Sequence, residues 1–131
     1  MPASASSAYQ PFRPARRPGG SPRAKPTYRI LVHRQYKALW DQLADRVGLE
    51  NARQFCDHVA NTPEQAPAVG RATILRGKAG RPREEGFSRT IHYEISGAGR
   101  IDYQYNPAFT GGARGDPHPV VFILTIGLSS H

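Results

Sequence analysis

The sequence predicts an α+β domain, with an N-terminal strand and a helical hairpin packed on one face of a curved, mainly antiparallel sheet of four to five strands. Three observations predict it. Apolar residues recur at three- and four-residue steps between residues 33 and 60. The period changes to two between residues 71 and 105, and residues 120–126 form a nearly continuous apolar run.

Taken in order, Tyr28-Arg29-Ile30-Leu31-Val32 is β-branched and aromatic-rich and reads as a short strand. Across residues 33–47, Tyr36, Leu39, Trp40, Leu43 and Val47 lie on one face of an amphipathic helix, and Gly48 is placed to end it in a left-handed cap. A second helix over 49–60 turns Ala52, Phe55, Cys56 and Val59 inward and stops at Asn61-Thr62-Pro63. So short a link predicts an antiparallel hairpin whose apolar stripes, Trp40 included, belong to the core.

Residues 71–76 read as a strand, 78–86 as a charged loop, and 88–96 as a second strand. In that second strand Ile91, Tyr93 and Ile95 oppose Thr90, His92 and Glu94. Gly97-Ala98-Gly99 makes a turn, after which Ile101, Tyr103 and Tyr105 oppose Arg100, Asp102 and Gln104. Residues 106–119 read as a long glycine- and proline-rich loop before the last strand. The helices cover one face of this sheet, and the other is expected to stay open and to carry the polar set.

Residues 1–27 hold six prolines and few apolar side chains, too few to offset the entropy of ordering. They read as a disordered, basic Pro/Arg-rich tail, either a solvated extension or an arm that grazes RNA or DNA, with the folded domain spanning 28–131. The net charge of +8 divides unevenly: Arg13, Arg16, Arg17, Arg23 and Lys25 stand in the tail with no acidic residue, leaving +3 for the domain. Local clustering must therefore carry any argument for nucleic-acid binding.

Cys56 is the single cysteine, so no intramolecular disulfide or cysteine-rich metal site can form, and its apolar helical setting reads as an inert buried thiol. His118 and His131 with Asp116 lack the spacing of a metal site on one element, and no metal or cofactor is expected. Gly111-Gly112-Ala113-Arg114-Gly115 resembles a phosphate-cradling loop only in composition. No apolar run approaches a membrane span and no secretory signal is evident, so the expected location is the cytoplasm.

Four pieces of the sequence, in order, resemble the RelE/ParE superfamily of small bacterial toxins. The helical hairpin over 33–61 follows an N-terminal strand. Leu75-Arg76-Gly77-Lys78 is similar to that family's L-[KR]-G element. Gly86-Phe87-Ser88-Arg89-Thr90-Ile91, followed by Gly99-Arg100-Ile101-Asp102-Tyr103, resembles its G-x-(W)-x-[RK]-x-I and Y-R-[IL]-x-Y strand pair. Val120-Val121-Phe122-Ile123-Leu124-Thr125-Ile126-Gly127 resembles its final strand. The likeness spans residues 28–131.

The resemblance implies an endoribonuclease that cuts mRNA without metal, usually on the ribosome, and that a cognate antitoxin neutralises. Relatives of the ParE type often dimerise. The chemistry is attack of a ribose 2′-hydroxyl on the adjacent phosphate, which needs a base, a cation for the crowded phosphorane and an acid for the leaving oxygen. Arg100 occupies the family's phosphate-clamp position, although Gly99 replaces the tyrosine before it. The base in relatives comes from the preceding loop or strand, where Glu84 and Glu85 lie. A residue just after the last strand is expected from the resemblance, and here His131 stands about two residues late, after Leu128-Ser129.

From the residues themselves, His92 and Glu94 share a polar strand face, and an imidazole there suits proton transfer near neutral pH. Arg71, Arg76, Lys78, Arg81, Arg83 and Arg89 form the densest basic run and read as a phosphate-tracking surface, with Tyr103 as a further nucleic-acid contact. Two other readings stay open: a ParE-like inhibitor of a protein target such as DNA gyrase, and a non-catalytic nucleic-acid-binding derivative.

Overall fold

The computed structural model describes residues 9–20, 25–67, 71–97, 99–111 and 116–128. Two helices pack on a six-stranded mixed sheet, an α+β fold. The strands are β1 (Phe12–Pro14), β2 (Arg29–His33), β3 (Arg71–Ile74), β4 (Ile91–Ile95), β5 (Gly99–Phe109) and β6 (His118–Leu128). A 3-10 turn over Arg34–Tyr36 leads into α1 (Lys37–Val47), and α2 (Leu49–Asn61) follows after one residue. The spatial order is β1-β2-β6-β5-β4-β3, with β2 parallel to β6 and every other pair antiparallel.

The apolar stripes account for the layers. Trp40, Leu43 and Val47 of α1 and Ala52, Phe55, Cys56 and Val59 of α2 are buried against Tyr93, Ile101, Tyr103, Val121 and Ile123 of the sheet. Gly48 joins the helices at φ 96°, ψ 141°, a backbone that favours glycine, and its N–H closes α1 on the Ala44 carbonyl at 2.9 Å. The positive φ agrees with the expected cap, while the extended ψ turns the chain directly into α2.

Three expectations are corrected. The N-terminal segment is not all tail, because Phe12–Pro14 adds a strand to the edge of β2 and makes six strands where four to five were expected. Phe12 is 2% exposed and its ring stacks on Phe122 at 4.2 Å between centroids. Beyond it the Trp40 indole N–H donates to the Arg16 carbonyl at 3.0 Å, and Arg17 grips Asp57 with two bonds of 2.7 and 3.0 Å. One aromatic among prolines and arginines makes no periodic pattern, so these contacts left no trace in the local sequence. Proline at position 14 removes a donor from the new edge, which discourages further pairing there.

Second, the sheet face away from the helices is only partly open. Phe12, Leu31, Phe87, Phe109, Val120 and Phe122 form a smaller core on that side, joined by Tyr9 and Leu124. Alternation along a strand cannot say what a distant loop will bring to its outer face, and residues 81–90 bring Phe87. Third, the long loop expected at 106–119 shrinks, since β5 runs on to Phe109 and β6 starts at His118. The register shifts once between Asp102 and Tyr103 and once between Asn106 and Phe109. A bulge lets Pro107 and Pro119 sit within paired strands. In the other direction β4 begins only at Ile91, because residues 86–90 leave the ladder to hold the loop above them.

Candidate catalytic face and basic loop

Tight connection of β4 to β5 fixes which side chains meet. Ile95 pairs with Gly99, so His92 falls opposite Asp102 and Glu94 opposite Arg100. His92 Nδ1 lies 2.6 Å from Asp102 Oδ1, and Arg100 Nε lies 3.5 Å from Glu94 Oε1. One step further from the turn, just beyond the ladder, Gln104 Nε2 donates to Thr90 Oγ1 at 2.9 Å. Three cross-strand pairs thus stand in a row on the outer face.

Their burial falls steadily along the row. Gln104 and Thr90 are 1% and 4% exposed, the His92 and Asp102 side chains 30% and 25%, and those of Arg100 and Glu94 53% and 37%. The His92–Asp102 dyad therefore sits where a covered surface gives way to open sheet. Its carboxylate occupies Nδ1 and leaves Nε2, the ring's other nitrogen, for proton exchange. Thr73 of β3 flanks His92, and Thr125 of β6 flanks Asp102. Past Thr125 the register shifts by one, because Leu124 of β6 bulges out between the partners of Asp102 and Tyr103.

The cover is the loop between β3 and β4. Gly77–Gly80 forms a 3-10 turn whose last glycine lies so close to the Leu75 carbonyl that a Cβ there would collide with it. Arg89 Nε and Nη2 donate to the Leu75 and Gly77 carbonyls at 2.9 and 2.7 Å, tying the loop across its base. Gln104 holds the loop from below: its Oε1 accepts the Arg83 N–H at 3.0 Å and its Nε2 donates to the Arg81 carbonyl at 2.9 Å. The Arg83 guanidinium lies over the Phe12 ring, 4.8 Å from its centroid.

Placed on this framework, the residues singled out in the sequence divide. His92, Glu94 and Arg100 share one neighbourhood on β4 and β5, with Arg71 of β3 paired in register with Glu94. Arg100 is bound to Glu94, so any clamp on phosphate would have to share that contact. Glu84 and Glu85 are exposed on the loop, and the ion pairs among the described residues do not include them. Arg76, Lys78 and Arg81 are exposed on the loop, whereas Arg89 and Arg83 are engaged as above. His131 lies outside the described residues, as does most of Gly111-Gly112-Ala113-Arg114-Gly115.

Tyr103 is a correction. It is fully buried on the helix side, edge-on to Phe55, and cannot stack on a base. Its hydroxyl finds no hydrogen-bond partner among the described residues, and burial pushes its phenol well above the ordinary range. The expectation of a nucleic-acid contact ran against the alternation of β5, which puts Tyr103 with Ile101 inside. Burial likewise pushes the Cys56 thiol up to about 12, as suits a packing residue.

His118 is taken up elsewhere, with Nε2 2.7 Å from the Tyr9 hydroxyl and Nδ1 3.1 Å from the Asp116 carbonyl. Among the described residues no three His, Cys, Asp or Glu side chains gather as a metal site. A cavity of about 930 Å³ lies under the N-terminal arm, lined by Arg17, Tyr28, Asp57 and Pro119 among others, and no dyad or basic-loop residue lines it. No helix among the described residues is long and apolar enough to cross a membrane.

Sequence reasoning missed Asp102 as the partner of His92 and gave Thr90 and Gln104 no role. The signal was present for all three. A short connection at 96–98 between two alternating strands sets the register, and counting outward pairs each with its partner. The chain matches no protein-family model, no curated protein and no solved structure.

Proposed function

We propose that this chain is a toxin-type endoribonuclease of the RelE/ParE kind, which cleaves mRNA without metal by attack of a ribose 2′-hydroxyl on the adjacent phosphate. It works in the cytoplasm, on ribosome-bound mRNA, and a cognate antitoxin holds it in check. The observation that carries this reading is the 2.6 Å His92–Asp102 contact on a half-open sheet face beside Arg100.

In this mechanism Asp102 accepts the Nδ1–H of His92 and steadies the imidazolium that forms. His92 Nε2 takes the proton of the 2′-hydroxyl, the 2′-oxygen bonds to phosphorus, and the bond to the 5′-oxygen breaks. That leaving oxygen takes a proton from water, giving a 2′,3′-cyclic phosphate and a 5′-hydroxyl. Arg100, half-exposed and only loosely held at 3.5 Å by Glu94, turns its outward N–H groups to the phosphorane. Glu94 keeps that guanidinium beside the dyad until substrate arrives.

A second reading has one observation in its favour. Arg83, Arg89 and Arg100 are each engaged within the fold, which thins the cations left for RNA. Fewer available cations suit a ParE-like inhibitor of a protein target such as DNA gyrase, or a non-catalytic nucleic-acid binder. Induced expression in a bacterial host, with transcript 5′ ends mapped by primer extension, separates these. New ends with the wild type, lost in His92→Ala and Arg100→Ala, are the expected result. Growth arrest without new ends would point to the protein target instead.

A further inference from the structure

Beyond the dyad, the outer face carries a buried amide whose hydrogen bonds all run to one loop. Gln104 is 1% exposed, stands two residues before or after nothing charged but Asp102 on its own face, and makes three hydrogen bonds. Two reach the backbone of residues 81 and 83, and the third reaches Thr90, where the chain returns to β4. A side chain so buried is costly unless its polar atoms are paired, and here both ends of the amide are. Pairing this complete fixes the height and register of the loop above the sheet.

The loop it fixes is the basic one. Arg89 is spent as a strut between the Leu75 and Gly77 carbonyls, and Arg83 lies on the Phe12 and Phe122 rings. Both of those arginines are exposed but engaged, and Arg76, Lys78 and Arg81 are the segment's other exposed cations. Asp102 and Gln104 are neighbours on one face of β5, about 7 Å apart in an extended strand. The part of the loop that Gln104 holds, at residues 81 and 83, thus lies one pair along the row from the dyad.

We infer that Gln104 is a positioning residue that sets this loop, and that Arg76, Lys78 and Arg81 on it form a subsite for the phosphates flanking the scissile bond of single-stranded RNA. The inference rests on the proposed RNA-cleaving reading. Each phosphate neutralised releases counterions, so the subsite has a signature apart from cleavage, the dependence of affinity on salt. Gln104 touches no substrate. Losing it lets the loop and its cations drift while the His92–Asp102 contact persists.

The test measures binding of a short single-stranded RNA bearing 2′-O-methyl groups, which cannot react, by fluorescence anisotropy across a salt series. Wild type is compared with Gln104→Leu, which keeps similar bulk but drops all three bonds, and with Thr90→Val, which drops one. For Gln104→Leu we expect affinity to fall about tenfold and the salt slope to shrink by about two phosphate contacts. Thr90→Val shifts both in the same direction by less. On cleavable RNA, KM rises more than kcat falls, and the pH profile of kcat keeps its shape, which a general loss of structure would not spare. Unchanged affinity and slope in folded Gln104→Leu overturn the role of Gln104. Should that variant fail to fold, Lys78→Ala with Arg81→Ala carries the test, and an unchanged slope there overturns the subsite. A wild type that binds no RNA at all removes the RNA-cleaving reading itself.

Discussion

At the scale of single residues, the chemistry turns on which nitrogen of His92 holds the proton. A carboxylate 2.6 Å from Nδ1 keeps the proton there and makes Nε2 the base. Asp102→Asn keeps the shape but can present its amide N–H to Nδ1 and favour the opposite tautomer. We expect it to lower kcat for RNA cleavage by at least about a hundredfold, the usual scale for loss of a general base, with little change in RNA affinity. Comparison of kcat and the binding constant for the non-cleavable RNA checks this. Equal activity in the two proteins would remove Asp102 from the mechanism. Glu94 and Arg100 show the opposite case, two charges at the exposed end of the same row whose contact is too long and too wet to contribute much stability.

Elements show how a feature absent from local patterning can hold a fold together. The arm carrying β1 caps β2, stacks Phe12 on Phe122, and ties its far end to α1 and α2 through Trp40 and Arg17. Phe12→Ala should cost about 3 kcal/mol, the scale of a buried phenylalanine removed from a packed site. Urea denaturation measures it, and a change under 1 kcal/mol (within about the range of a surface substitution) would mean the arm is not part of the folded unit. Removing residues 1–20 should destabilise further, by exposing the β2 edge and one side of the smaller core. The loop between β3 and β4 is comparably built, with Arg89 below, Gln104 beneath and Gly80 at the close approach to Leu75.

For the whole molecule, stability depends on pH through a histidine that the site does not use. His58 lies on α2 against Tyr93, its Nε2 buried without a partner among the described residues. Burial lowers its pKa below 6.5, against a smaller opposite pull from Glu64. The unfolded chain then binds a proton that the folded chain refuses. Stability from this group is intact above about pH 6.5 and declines as pH falls from there toward the folded value. Urea midpoints measured between pH 7.5 and 5 should drop more steeply for wild type than for His58→Gln (pH values chosen to bracket about 6.5). Parallel curves would show that another group sets the slope.

The sequence by itself determined the two helices, the strands that pack on them and the polar row that β4 and β5 turn outward, because those follow from periodicity within a few residues. Trp40 and Cys56 were legible as core, and His92, Glu94 and Arg100 as neighbours on one face, for the same reason. Only the tertiary structure decided that Phe12 closes the sheet edge and that Phe87 and Arg83 fold back over part of the outer face. It also decided that Gln104 holds the loop through residues 81 and 83. These depend on contacts between segments far apart in the chain, whose free energies come from burial and pairing that no local pattern encodes.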